Sequence, residues 1–189
     1  MPHRLFLAIP LPPPLVSAIE KFQKAQEVDT KSVRWTHKDN LHVSVHFFGD
    51  IDDQQLGELV DCVEEIVSAT PAFELIVDQL AFAPKGKPAR MLWLTFIQSD
   101  EYRQFVETLR RTVKEEIGGP SDARKPSAHV TVARLRDSQS VEKITLESFR
   151  GKKFMVGVDS LILYESDLGG NVPEYTPLQT FVFGSGDEE

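Results

Sequence analysis

Strict alternation of apolar and polar residues marks a short stretch that this chain carries twice. The first copy is His42-Val43-Ser44-Val45 and the second is His129-Val130-Thr131-Val132. Residues two apart lie on the same face of a β-strand, so we expect the valines to face the core and each histidine to stand beside a hydroxyl on the opposite face. One such strand is typical of a half-buried sheet. Two of them predict a site with a pair of imidazoles and a pair of hydroxyls.

Apolar residues at helical spacing predict helices between the strands. We expect one after the proline run Pro12-Pro13-Pro14, one from about Asp53 to Ala69, one capped by Ser99 and ended by Gly118, and a shorter one near Val141 to Phe149. The remaining apolar runs are predicted to be strands: Arg4–Leu11, Phe73–Phe82 and Arg90–Phe96.

A second match suggests that the chain is duplicated. The segments Phe73–Leu80 and Phe154–Leu161 share the pattern Phe, three residues, Val-Asp, one residue, Leu. Each half then runs strand, helix, histidine strand, helix, strand. We expect a single domain, residues 1–189, with repeat halves at about 4–82 and 90–183 and a disordered tail at 184–189. The predicted fold is α+β and bilobal: two pseudo-symmetric antiparallel-sheet lobes, helices on the outer faces and a central groove.

Composition narrows the class of protein. The 189 residues carry a net charge of −8 at pH 7, which argues against wrapping a nucleic acid duplex but leaves room for binding one phosphate or a strand end. No apolar run approaches the roughly 20 residues of a membrane helix. The single cysteine, Cys62, is expected to be a buried, inert thiol. We expect a cytoplasmic monomer without a membrane partner.

The paired motifs and their surroundings resemble the two-histidine (2H) phosphoesterase superfamily. Within it the chain is most similar to the RNA 2′,3′-cyclic phosphodiesterases, also called 2′-5′ RNA ligases. The likeness extends to Val33-Arg34-Trp35, Phe47-Phe48-Gly49 and His129-Val130-Thr131-Val132-Ala133-Arg134. The chain departs from that family by carrying Ser44 in place of the usual Thr and Lys125-Pro126-Ser127-Ala128 before the second histidine.

The resemblance implies a role for each residue of the site. His42 is the proton donor to the leaving 3′ oxygen and His129 is the base that activates water, without a metal or other cofactor. Ser44 and Thr131 are suited to donating hydrogen bonds to the non-bridging phosphate oxygens. Arg134 is a further candidate phosphate contact, but strict alternation places it on the opposite face from His129 and Thr131, so it reaches the site only if the strand twists, bulges or ends there.

The implied reaction is hydrolysis of RNA ends that carry a 2′,3′-cyclic phosphate to 2′-phosphomonoesters. Ligation to a 2′-5′ bond is the reverse type of reaction. The alternatives are a related phosphodiesterase that acts on small cyclic nucleotides or 2′-5′ oligonucleotides, and a binding module for RNA ends that has no catalytic activity. The non-catalytic alternative for both histidines is a structural role in a half-buried sheet.

Several neighbouring residues are further candidates. On a regular strand, His46 would share the face of His42 at a distance of about 13 Å, too far for one metal ion, and we expect it to line the groove or the surface. Of four aromatic residues that could stack on a base, we expect one to touch substrate: Trp35, Phe48, Trp93 and Tyr164.

Overall fold

The computed structural model of the protein describes residues 3–28, 31–85, 88–118, 125–136, 143–149, 154–167, 169 and 173–184. The tail beyond Gly184 and the predicted helix start at Val141 lie outside the described residues.

The described residues form nine strands and three α-helices. The strands are β1 (His3–Pro10), β2 (Val33–Trp35), β3 (His42–Ile51), β4 (Phe73–Ala83), β5 (Met91–Phe96), β6 (His129–Leu135), β7 (Met155–Val158), β8 (Ser160–Asp167) and β9 (Glu174–Val182). The helices are α1 (Pro13–Lys24), α2 (Asp53–Ser68) and α3 (Asp100–Glu116), with short 3₁₀ turns at Lys38–Asn40 and Leu146–Phe149.

The described strands form one antiparallel sheet in the order β7-β4-β5-β6-β3-β1-β8-β9, with β2 paired to β6. The helices cover the sheet with their apolar faces, as in α3, where Tyr102, Phe105 and Leu109 are buried. Ser99 caps this helix by accepting the backbone N–H of Tyr102 at 3.0 Å. The architecture confirms the predicted α+β fold.

The core also holds Cys62, and burial raises the pKa of its thiol to about 12. This agrees with the expected inert thiol. Among the described helices, none combines the length and apolar character needed to cross a membrane.

Two strand pairs join residues that occupy equivalent places in the predicted repeats. Val43 lies opposite Val130 in the β3–β6 pair, and Leu75 lies opposite Val156 in the β4–β7 pair. Equivalent residues face each other in this way when two copies of an antiparallel unit are related by a twofold axis. The register therefore supports our proposal that residues 4–82 and 90–183 are repeats of one another.

Both histidine strands carry a bulge at the same place. The β1–β3 ladder skips Val45, between the pairs Ala8–Ser44 and Leu7–His46. The β5–β6 ladder skips Val132 in the same manner. Because a bulge inserts one unpaired residue, it reverses the alternation of faces for every residue that follows.

The helix expected near residues 141–149 is not an α-helix in its described part. Leu146–Phe149 forms a 3₁₀ turn. The β-branched residues Ile144 and Thr145 disfavour helix, and Gln26 binds the backbone of Thr145 from outside the segment, accepting its N–H at 2.9 Å. This tertiary contact replaces the next turn of a helix.

Candidate active site

The two histidine strands lie side by side and present their polar residues on one face. The Val43–Val130 pair sets the antiparallel register, which places His42 across from Thr131 and Ser44 across from His129. All four polar residues are partly exposed, whereas both valines are fully buried. The structure thus brings the two imidazoles and the two hydroxyls together, as the alternation predicts.

Hydrogen bonds at both ring nitrogens hold His42 in one orientation. Its Nδ1 lies 2.9 Å from the carbonyl oxygen of Asn40, and its Nε2 lies 2.9 Å from the hydroxyl oxygen of Ser44. Since a carbonyl only accepts, Nδ1 carries the hydrogen, and in the neutral ring Nε2 accepts from the Ser44 hydroxyl. Asn40 is itself anchored, because its side-chain amide donates to the carbonyl of Pro173 at 2.9 Å.

Burial lowers the pKa of His42 to about 4. Loss of hydration disfavours the charged ring and is the main cause. The hydrogen bond to the Asn40 carbonyl opposes the shift, and a positive charge on His129 would add to it. His42 is therefore neutral at pH 7 in the absence of substrate.

His129 is oriented in the same way but has a different neighbour. Its Nδ1 lies 2.9 Å from the carbonyl oxygen of Ser127, which matches the Asn40 contact of His42. The indole of Trp93 stacks on its ring with centroids 3.9 Å apart and planes 28° from parallel. The unusual residues before His129 thus still supply the carbonyl that fixes its tautomer.

Aromatic rings surround His42 but not in a pattern that the sequence reveals. Phe6, Tyr164 and Tyr175 place their ring centroids 5.1, 6.5 and 5.5 Å from that of His42. Sequence reasoning missed Phe6 and Tyr175 because they lie on β1 and β9, far along the chain from the motif. Only the strand order brings them to the histidine.

The bulge at Val132 decides the position of Arg134. Val132 and Ala133 are both buried, and Arg134 is exposed on the side that also carries His129 and Thr131. The strand therefore has the bulge that Arg134 needs in order to reach the site. In the other half, the equivalent position after the bulge holds Phe47, which is 60% exposed.

The expectation that His46 lines the groove or the surface is wrong. Its residue exposure is 6%, and its ring packs edge-on against Phe48 with centroids 4.9 Å apart. The bulge at Val45 turns His46 away from the face of His42, and its equivalent Ala133 is also buried.

The four aromatic candidates separate into two groups. Phe48 lies in the core and Trp35 packs edge-on against Phe22 at 6.0 Å. Trp93 stacks on His129, and Tyr164 stacks on Phe6 at 5.4 Å within the aromatic cluster of His42. In the described part of the chain, no three His, Cys, Asp or Glu side chains are grouped so that they could hold a metal ion.

The sequence model of the 2′-5′ RNA ligase superfamily matches residues 11–170. The chain belongs to the 2′-5′ RNA ligase superfamily. A relative named RNA 2′,3′-cyclic phosphodiesterase from Thermotoga maritima is 24% identical over 152 residues, covering 80% of each chain. One of the same name from Methanocaldococcus jannaschii is 25% identical over 177 residues, covering 91% of this chain and 96% of the relative.

Solved structures share the fold along almost the whole chain. Escherichia coli LigT in complex with 3′-AMP superposes with a TM-score of 0.80 at 25% identity, covering 97% of this chain and 99% of LigT. A protein described as a phosphoesterase superposes with a TM-score of 0.81 at 25% identity, covering 98% of this chain and all of the other. The 2′-5′ RNA ligase fold thus accounts for the sheet that carries both histidines.

Proposed function

We propose that this protein hydrolyses RNA ends that carry a 2′,3′-cyclic phosphate and leaves a 2′-phosphomonoester. One observation carries the proposal: His42, Ser44, His129 and Thr131 meet on one face of two paired strands. The names of the relatives from Thermotoga and Methanocaldococcus support the same substrate class. Ligation to a 2′-5′ bond would be the related reaction in which a 5′-hydroxyl takes the place of water.

Opening the ring requires one proton to be removed and another to be delivered. In the proposed reaction His129 takes a proton from water, the water oxygen bonds to phosphorus, and the bond from phosphorus to the 3′ oxygen breaks. His42 gives its proton to that 3′ oxygen. Acid–base assistance of this kind is typically worth about 10²- to 10⁴-fold in rate.

The low pKa of His42 sets a condition on this assignment. The ring is neutral in the empty site, with its pKa near 4, so it must gain a proton when substrate binds. A cyclic phosphate carries one negative charge, and an anion beside an imidazole raises its pKa by favouring the charged form. In the proposal, the bound anion therefore raises the pKa of His42, and the ring takes from solvent the proton that it later gives to the 3′ oxygen.

The hydroxyls and the arginine complete the proposed site. Ser44 and Thr131 would donate hydrogen bonds to the non-bridging oxygens, where negative charge is concentrated in the transition state. Ser44 is bound to His42 in the empty site at 2.9 Å, so its hydroxyl is released for the phosphate when His42 becomes protonated. Arg134 adds a positive charge on the same face.

The test is ring opening of a short RNA that ends in a 2′,3′-cyclic phosphate, with EDTA present throughout. We expect complete conversion to the 2′-monophosphate, identified by ³¹P NMR against authentic 2′- and 3′-phosphates. No ring opening would refute the proposed activity. A 3′-monophosphate product would show that the 2′ oxygen leaves and would overturn the role given to His42.

A further inference from the structure

A pair of arginines lies beyond the two histidine–hydroxyl rows of the site. Arg34 of β2 is directly opposite Arg134 of β6 in the antiparallel register, and both side chains are exposed. Residues that face each other across two strands point to the same side of the sheet. Because the bulge at Val132 puts Arg134 on the side of Thr131, Arg34 lies on that side as well.

The register makes Arg34 the third member of a series. Along β6, Ser44 lies across from His129, His42 lies across from Thr131, and Arg34 lies across from Arg134. β3 pairs with the start of β6, and β2 pairs with the end of β6 along the same edge. The site is a strip of three cross-strand rows, of which the first two hold the histidines and hydroxyls.

The third row is electrostatically incomplete. Like charges directly opposite each other destabilise a pair of strands. Within the part of the chain that the structure describes, neither guanidinium forms an ion pair with a carboxylate. An anion placed between two arginines would remove their repulsion and accept charge-assisted hydrogen bonds from both.

Tyr175 connects this row to the catalytic histidine. Its ring packs edge-on against His42 with centroids 5.5 Å apart. Burial raises the pKa of its hydroxyl, while the nearby charges of Arg134 and Arg34 act in the opposite direction. Both arginines are therefore within electrostatic range of a side chain that touches His42.

We infer that Arg34, together with Arg134, binds a second phosphate of the substrate, the one attached to the 5′ oxygen of the nucleotide that carries the cyclic phosphate. This inference rests on the proposed function and names the substrate more closely. With the reacting phosphate at the first two rows, the third row, further along β6, is placed to meet the phosphate of the preceding nucleotide. In a chain of net charge −8, such a local cationic row is what permits an RNA strand to approach.

The test compares three substrates that share one cyclic phosphate: a nucleoside 2′,3′-cyclic phosphate, the same compound with a 5′-phosphate, and a dinucleotide ending in the cyclic phosphate. For the variant Arg34→Gln we expect kcat/KM to fall about tenfold on both substrates that have the second phosphate, mainly through KM. The nucleoside cyclic phosphate should be opened at the rate of the unmodified protein. That unchanged rate also shows that the variant is folded.

Two controls sharpen the comparison. Arg111→Gln removes an exposed arginine of α3 and should leave all three substrates unaffected. Arg34→Lys keeps the charge and should recover part of the lost affinity. A loss on the dinucleotide alone would assign the row to the internucleotide diester, and a loss on both would assign it to any phosphate at the 5′ oxygen.

An equal change on all three substrates, or no change on any, would overturn the inference while the proposed function stands. If the unmodified protein opens none of the three, it is the proposed function that fails.

Discussion

The two histidine strands share a backbone but differ in the surroundings of their histidines. In each, the histidine Nδ1 is bonded to the carbonyl two residues earlier, at 2.9 Å, and a bulge follows at the fourth position of the motif. His42 nevertheless lies among aromatic rings, with its pKa near 4, whereas His129 lies against Trp93. Beyond the bulge the first strand presents Phe47 and the second presents Arg134.

This difference shows how two equivalent strands can carry histidines that have different roles in one reaction. Paired strands related by a twofold axis place two imidazoles at equivalent points, which suits the two sides of one phosphorus atom. Tyr175 of β9 makes the half of the site around His42 more apolar. Arg34 of β2, opposite Arg134, makes the other half of the site cationic. We interpret the apolar half as the one that controls the charge of His42, and the cationic half as the one that binds the RNA strand.

The largest expected effects come from removing either histidine. His42→Ala and His129→Ala should each lower kcat on a 2′,3′-cyclic phosphate by at least about 100-fold, because each removes one of the two proposed proton transfers. Initial rates with an RNA dinucleotide measure the loss. His37→Ala, which removes an exposed histidine paired with Asp39, serves as the control and should remain active. Near-normal turnover by either site variant would assign that histidine a structural role.

Smaller losses are expected from the hydroxyls. Ser44→Ala and Thr131→Val should each reduce kcat by about 10- to 100-fold, since each removes one proposed hydrogen bond to the charged phosphate oxygens. Ser44→Thr keeps the hydroxyl and should retain most of the activity. If Ser44→Ala and Ser44→Thr have the same rate, the hydroxyl of residue 44 does not contact the phosphate.

A separate effect is on stability rather than on rate, and it concerns His42 alone. The unfolded chain protonates His42 near pH 6.5 but the folded chain does so near pH 4, so the unfolded state binds more protons between these values. Stability should fall as the pH is lowered through that window, by up to about 3 kcal/mol from this residue. Urea unfolding of the unmodified protein and of His42→Gln, measured from pH 4.5 to 7.5, isolates the contribution. Parallel stability curves for the two proteins would contradict the low pKa.

Local sequence signals predict much of this molecule because they act within a few residues. Alternation around Val43 and Val130 identifies both motif strands, and Ser99 identifies the start of α3 through a cap that the structure contains. The bulges are different. A single inserted residue leaves no mark in the sequence pattern, so the burial of His46 and the outward turn of Arg134 follow only from the register.

Contacts between distant segments are the other part that the sequence does not reveal. Tyr175 and Arg34 come from β9 and β2, and their place beside the histidines depends on strand order rather than on any neighbouring residue.

The carbonyls of Asn40 and Ser127 are also contacts that the sequence does not reveal. Their role lies in the backbone, which carries the same donor and acceptor at every position and so has no side-chain signature.

The division of labour between the histidines can be tested most directly with a changed leaving group. In a substrate whose 3′ oxygen is replaced by sulfur, the thiolate leaves without being protonated, because thiols are far more acidic than alcohols. We predict that His42→Ala recovers most of its lost rate on the sulfur substrate, whereas His129→Ala stays impaired on both substrates by at least about 100-fold. Recovery by His129→Ala instead of His42→Ala would reverse the roles of acid and base.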